Sequence, residues 1–124
     1  MVLDSTFIVD HLRGDPAALR RLRDLFEDGD DPIVTDIVVC EVRTGLLPHE
    51  EAHFAALLEP IEFVQSGVEA ALTAGRWRSD LHKRGRTLSI GDALIGACAH
   101  SLGATVLTRN AKDFALMPIA VEVY

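Results

Sequence analysis

Apolar residues in this chain occur as short runs separated by stretches in which they recur at helical spacing. Val2-Leu3 is an apolar pair that ends on a carboxylate, Asp4, and reads as a very short strand. Ser5-Thr6 are good helix-start residues, and Phe7 to Leu12 continues as a helix. Gly14-Asp15-Pro16 breaks the chain, after which Ala18, Leu19, Leu22, Leu25 and Phe26 mark a second helix, ended by Asp28-Gly29-Asp30-Asp31-Pro32. Ile33-Val34 is strand-like, and Thr35 or Asp36 is placed to cap a helix running to about Leu47, before Pro48. Residues 49–59 predict another helix, Ile61 to Val64 a strand, and Ser66-Gly67 the start of a long helix to about Lys83. On that helix Ala70, Ala74, Trp77 and Leu81 form one stripe, a core face, which assigns Trp77 to packing rather than to stacking on a base. Gly85-Arg86-Thr87 is a loop, Ser89 opens a helix through His100 to Leu102, and Gly103 stops it. Ala104 to Leu107 and Ile119 to Val123 are the last strands.

Short strands alternating with helices predict an α/β fold: three layers, with a short, mostly parallel sheet covered by helices on both faces. Sites on such sheets lie at the carboxyl ends of the strands. No repeat, linker or low-complexity stretch divides the sequence, so a single domain over residues 1–124 is expected. Apolar residues make up 48% and charged residues 25%, which excludes wholesale disorder. No apolar run approaches the roughly 18 residues of a membrane span. The start is acidic within four residues and lacks the basic-then-apolar order of a secretion signal. Cys40 and Cys98 match no disulfide framework or clustered zinc site and are expected as buried free thiols of a cytoplasmic protein.

A net charge of −7 opposes a nucleic-acid partner at first sight, but the charge is unevenly spread. Residues 1–75 carry 5 basic and 15 acidic side chains, whereas residues 76–124 carry 7 basic and 4 acidic. Arg76, Arg78, Lys83, Arg84 and Arg86 fall within eleven positions. They read either as a solvated helix end or as a local phosphate-binding patch beside an acidic site.

Four acids stand where packing alone does not put them. Asp4 lies at the carboxyl end of the first strand, with a helix N-cap as its ordinary alternative. Glu41 interrupts Ile37-Val38-Val39-Cys40-Glu41-Val42, where a carboxylate needs a cation or hydrogen bonds; the alternative is a buried acid paired with an arginine. Asp92 follows Ser89 by three residues, the spacing of a capping box, yet Gly91 and Gly96 leave space for close approach around it. Asp113 follows a strand and is otherwise an ordinary loop aspartate. Brought together at one end of a parallel sheet, these acids repel one another, and a hard divalent cation relieves that repulsion. Mg²⁺ or Mn²⁺ held this way supports in-line displacement at phosphorus.

A second motif points elsewhere. His49-Glu50-Glu51-Ala52-His53 is a literal His-Glu-x-x-His, the helical zinc pattern of metallopeptidases. No Gly-x-x-His follows, no third ligand is evident, and the pattern begins directly after Pro48. A phosphorelay receiver is excluded because residues 64–66 are Val-Gln-Ser and Thr108-Arg109 replaces Thr-Lys.

The segments that carry the acids also carry a family resemblance. Val2-Leu3-Asp4-Ser5-Thr6, Thr35-Asp36-Ile37-Val38-Val39-Cys40-Glu41-Val42 with Gly45, Ile90-Gly91-Asp92-Ala93-Leu94-Ile95-Gly96-Ala97, and Thr105-Val106-Leu107-Thr108-Arg109-Asn110-Ala111-Lys112-Asp113-Phe114 occur in order along the whole chain. In this the sequence resembles PIN-domain ribonucleases, specifically VapC-type toxins of VapBC toxin–antitoxin pairs. The resemblance implies a PIN-like α/β/α fold and a Mg²⁺- or Mn²⁺-dependent endoribonuclease. It further implies a homodimer and a VapB-type antitoxin whose tail covers the acidic pocket. It assigns Asp4, Glu41 and Asp92 to the metal site, with Asp113 as the fourth acid, Asn110 as a neutral participant and Thr108 as a supporting hydroxyl. Arg76, Arg78, Lys83, Arg84, Arg86, Arg109 and Lys112 are then candidates to guide the RNA backbone. A catalytically inactive PIN fold kept as a binding module is the alternative from another class.

Overall fold

The computed structural model describes residues 1–124. Five strands form one all-parallel sheet: β1 (Val2–Leu3), β2 (Ile33–Thr35), β3 (Glu62–Val64), β4 (Val106–Leu107) and β5 (Val121–Glu122). Their spatial order is β3-β2-β1-β4-β5. Seven helices complete a three-layer α/β/α arrangement. They are α1 (Ser5–Leu12), α2 (Pro16–Glu27), α3 (Asp36–Gly45), α4 (Glu51–Leu58), α5 (Gly67–Lys83), α6 (Ile90–Leu102) and α7 (Ala111–Phe114).

The strands are two or three residues long, and the central ones are covered on both sides. Val2, Leu3, Val106 and Leu107 are each 0% exposed, the continuous apolar reading of a buried parallel strand. The core is completed by Phe7 and Ile8 of α1, Leu22 and Leu25 of α2, Val38 and Val42 of α3, and Phe114 of α7. Each such side chain stabilises the fold by about 1.5–3 kcal/mol when fully buried. Helix α6 runs through the middle of this packing, with Ala93, Ile95, Ala97, Cys98 and Ala99 all buried.

Caps set the helix starts. Asp15 accepts from the Ala18 amide and Pro16 opens α2; Thr35 accepts from the Val38 amide; Ser89 accepts from the Asp92 amide. Gly103, at φ +61°, closes α6 in the left-handed region that favours glycine. Three details differ from the sequence reading. The segment expected as one helix over 49–59 is a 3₁₀ turn, Pro48–Glu50, followed by α4, because Pro48 opens the turn and lacks an amide. The loop after β4 contains a short helix, α7, too brief to show a periodic pattern. Cys98 is buried, but Cys40 is exposed, on the outer face of α3.

Two features of the sheet locate the site. The order reverses between β1 and β4, a switch point where side chains beyond the strand ends line a crevice. The backbone ladder also runs one residue past each strand: the Asp4 amide donates to the Leu107 carbonyl at 3.0 Å and the Thr108 amide to the Glu122 carbonyl at 3.0 Å. Asp4 and Thr108 are therefore held side by side at that edge.

Candidate active site

Asp4 occupies the N-cap position of α1, yet its carboxylate caps nothing. It is 2% exposed and is held by side-chain hydroxyls. Thr108 Oγ1 donates to Asp4 Oδ2 at 2.7 Å and Thr6 Oγ1 donates to the same oxygen at 3.0 Å. Thr108 is itself fixed, accepting from the Asn110 amide at 2.8 Å. Only the Ser5 hydroxyl, at 3.4 Å, approaches Asp4 Oδ1. Two strand ends thus orient one buried carboxylate and leave one of its oxygens with little to bind. The capping alternative for Asp4 does not describe this structure.

Asp92 sits in the first turn of α6, where Ser89 supplies the cap through its hydroxyl. The Asp92 carboxylate faces α7 instead, where Asn110 Nδ2 donates to Asp92 Oδ2 at 3.2 Å and to Asp113 Oδ2 at 3.0 Å. Ionised carboxylates only accept, so the amide group of Asn110 lies between two acids and bridges them. Asn110 and Asp113 therefore share the fourth corner, one as spacer and one as acid. Burial first, and then the neighbouring charges of Asp4 and Asp113, push the Asp92 pKa up, with the Ser89 hydroxyl partly offsetting them.

Glu41 enters from α3. It is exposed rather than buried and no arginine pairs with it. Its carboxylate lies against Gly91: a Cβ added there would stand 2.7 Å from Glu41 Oε2. Glycine at the start of α6 is thus what lets Glu41 reach the acid cluster. Partial loss of water raises the Glu41 pKa, the charges of Asp4 and Asp92 add to that, and the Ser5 hydroxyl opposes it. Gly96 serves packing instead, since a Cβ there would strike the Met117 thioether.

Asp4, Glu41, Asp92 and Asp113 therefore come from four separate elements and meet at one end of the sheet, close enough to perturb one another. Thr108 and Asn110 hold two of them in place. No three of the acids form a ready-made metal cage as they stand. Beside Glu41 opens a cavity of about 380 Å³ lined by Ser5, Thr6, Val9, Asp10, Val42 and Arg109.

The basic candidates divide. Arg109 is engaged: Nε lies 3.0 Å from Asp10 Oδ2, Nη2 lies 3.0 Å from Asp15 Oδ1, and the guanidinium stacks over the Tyr124 ring at 4.8 Å. Its charge is matched locally, and its backbone amide donates to Thr6 Oγ1. Sequence reasoning did not single out Asp10, Asp15 or Tyr124, since nothing in the chain order shows that its last residue returns to α1. Arg76, Arg78, Lys83, Arg84, Arg86 and Lys112 are exposed and take part in no ion pair. Trp77 is half-buried and meets His100 edge-on at 5.5 Å, a packing role. His49 and His53 are exposed, and Glu50 is occupied as an acceptor of the Leu47 amide at 2.9 Å. The His-Glu-x-x-His pattern thus has no third ligand around it.

Comparison with known proteins gives the family of the chain. The family model described as PIN domain matches residues 1–119. A protein of Mycobacterium tuberculosis named Ribonuclease VapC19 is 30% identical over 117 residues, covering 94% of each chain. Ribonuclease VapC1 of Rickettsia felis is 34% identical over 89 residues, 65% of this chain and 66% of that one. Among solved structures, VapBC2 from Rickettsia felis bound to a DNA fragment from its promoter superposes with a TM-score of 0.88 at 20% identity, over 99% of this chain and 97% of that one. DNA-bound VapBC from Salmonella typhimurium gives 0.86 at 23% identity, over 98% and 96%. With the family model spanning nearly the whole sequence and the acids converging at the end of the sheet, this chain belongs to the PIN-domain family, in its VapC group.

Proposed function

We propose that this protein is a metal-dependent endoribonuclease, the toxin of a toxin–antitoxin pair, acting on cellular RNA in the cytoplasm. The observation that carries the reading is the convergence of Asp4, Glu41, Asp92 and Asp113 around a carboxylate whose second oxygen is already held by Thr108 and Thr6. The names of the VapC relatives support the ribonuclease activity. The VapBC complexes among structural neighbours support a VapB-type antitoxin as partner.

The donor set fits a hard divalent cation. All four acids offer oxygen, Glu41 and Asp92 have pKa values raised by burial and then by the neighbouring acids, and none is neutralised by a cation of the protein. Their spread favours an ion that keeps several waters, as Mg²⁺ and Mn²⁺ do. Asp4 and Asp92 would hold it, with Glu41 and Asp113 completing the acidic shell directly or through water. When bound, such an ion supplies an acidified water and neutralises phosphate oxygens. Glu41, which reaches the cluster across Gly91, would orient the attacking water and accept its proton. Asn110 donates to both Asp92 and Asp113 and offsets their repulsion, and Thr108 fixes Asp4, so the acids stay gathered. The water oxygen bonds to phosphorus as the bond to the leaving ribose oxygen breaks.

For the assembly we keep a homodimer bound to the antitoxin. Val68 and Leu72, one turn apart on α5 and 75% and 53% exposed, offer an apolar face for a second copy. Size measurement of the purified chain by sedimentation tests it.

The central test is cleavage of total cellular RNA by antitoxin-free protein with Mg²⁺ or Mn²⁺, with EDTA, and with Asp4→Asn. Cutting that both EDTA and the substitution abolish is expected. Intact RNA throughout would overturn the reading in favour of an inactive binding module.

A further inference from the structure

The acidic site repels the molecule it is proposed to cut, so an anchor for the RNA backbone is needed off the carboxylates but near them. The chain has 12 basic side chains against 19 acidic ones. Arg21, Arg23, Arg43 and Arg109 are paired with carboxylates. Arg78 and Arg86 are not, and both line one feature. Between the last turns of α5 and the connection to α6 lies an open cavity of about 380 Å³, lined by Arg78, Ser79, His82, Arg86, Thr87 and Leu88. Only one of its lining residues is apolar, which does not suit an apolar ligand. Arg78 is preset: its Nε donates to the Leu88 carbonyl at 2.9 Å, leaving its terminal nitrogens without a carboxylate partner.

Position ties the cavity to the site. Leu88 precedes Ser89, the cap of α6, and Asp92 follows four residues after Leu88, a reach of at most about 14 Å. Arg86 also lines an adjoining cavity of about 330 Å³ with Arg84, Ala115 and Leu116, and Ala115 and Leu116 directly follow the helix that carries Asp113. The cationic rim thus reaches from α5 toward the segments bearing two of the four acids.

We infer that this cavity is a phosphate-binding subsite for the RNA backbone, in which Arg78 and Arg86, with the Ser79 and Thr87 hydroxyls, hold a phosphate away from the bond that is cut. The identity of the polyanion rests on the ribonuclease reading. Two guanidinium groups, two hydroxyls and an imidazole line the cavity, a set of donors that suits a phosphate. Unpaired cations spread over Arg76 to Arg86 match a ligand that carries a charge at every residue.

The test is fluorescence anisotropy of a labelled single-stranded oligouridylate of about twelve nucleotides, with EDTA so that binding is read without cleavage. Arg86 makes no side-chain hydrogen bond or ion pair, so Arg86→Gln leaves the fold intact, which thermal melting checks. It is expected to weaken binding about tenfold at low salt and to flatten the slope of log K against log salt by about 0.7. Arg86→Lys keeps the slope, and Arg23→Gln on α2 changes neither quantity. Unchanged oligouridylate binding in both Arg86→Gln and Arg78→Gln, each shown folded by thermal melting, overturns the inference, even if inorganic phosphate or a polyglutamate peptide binds there. The two readings fail separately. Wild-type protein that cuts no RNA but loses oligouridylate on Arg86→Gln defeats the ribonuclease and keeps the subsite. Cutting with binding unaffected by the substitutions does the reverse.

Discussion

Thr108 and Gly91 show how much of the candidate site depends on single atoms. Thr108→Val keeps the shape of the side chain and removes the hydroxyl that donates to Asp4 Oδ2 at 2.7 Å. A lost buried bond to a charged group costs about 2 kcal/mol. The variant should melt several degrees lower and cut RNA at least about tenfold more slowly, while Thr108→Ser recovers most of both. Gly91→Ala separates stability from function. Alanine is the better helix former by up to about 1 kcal/mol, and the atom it strikes is the mobile end of Glu41. The melting temperature is therefore expected to hold or rise while cleavage falls, and a drop in both would mean that Gly91 serves the backbone instead. At this scale the sequence picked out the acids that the fold brings together but not how they are held. Asp4 and Asp92 each stand where a helix cap belongs, and only the bonds to Thr108, Thr6 and Asn110 show that neither carboxylate caps.

Among the elements, α6 carries the most weight, since it positions Asp92 at one end and fills the core along its length. Burial, with Asp36 as a lesser cause, pushes the Cys98 thiol up to about 11 from an ordinary 9.0. Tyr124 is also raised, by burial and by its bond to Asp10. Both groups hold their protons more tightly in the folded chain, so the unfolded chain loses protons first as pH rises. Their contribution is fully present below about pH 9 and fades above it, Cys98's being gone by about pH 11. Urea unfolding should show a falling midpoint across that range, and a flat profile would show that neither group resists ionisation. Iodoacetamide on the native protein should label exposed Cys40 and spare Cys98 until urea is added. Helix positions were legible because capping residues and apolar spacing act locally. The 3₁₀ turn at Pro48–Glu50 and the four-residue α7 were not, because each is too short for the helical pattern to repeat.

For the molecule as a whole, the acid cluster is a standing electrostatic cost that the proposed cation would relieve. Millimolar Mg²⁺ or Mn²⁺ should raise the melting temperature by about 4 °C through mass action, and EDTA should reverse the rise. Asp92→Asn relieves the repulsion, so it should melt at or above wild type without added metal and gain little from Mg²⁺. An equal gain in Asp92→Asn would place the ion elsewhere. Tyr124 is part of the same assembly. Tyr124 Oη donates to Asp10 Oδ2 at 2.6 Å, packs edge-on against Phe7, and supports Arg109 beside the loop of Asn110 and Asp113.

The sequence by itself determined the class of fold, the caps, the apolar faces and the four acids, because each depends on residue type and on spacing within a few positions. Tertiary structure decided what chain order does not encode. Parallel pairing of β1 with β4 puts Thr108 against Asp4 across a hundred residues of chain. Crossing of α3 over the start of α6 sets Glu41 on Gly91. Return of the last residue to α1 pairs Arg109 away from the open rim, leaving Arg78 and Arg86 as unpaired cations beside it. Which charges are matched and which remain free is a matter of distance in space, and the sequence fixes only distance along the chain.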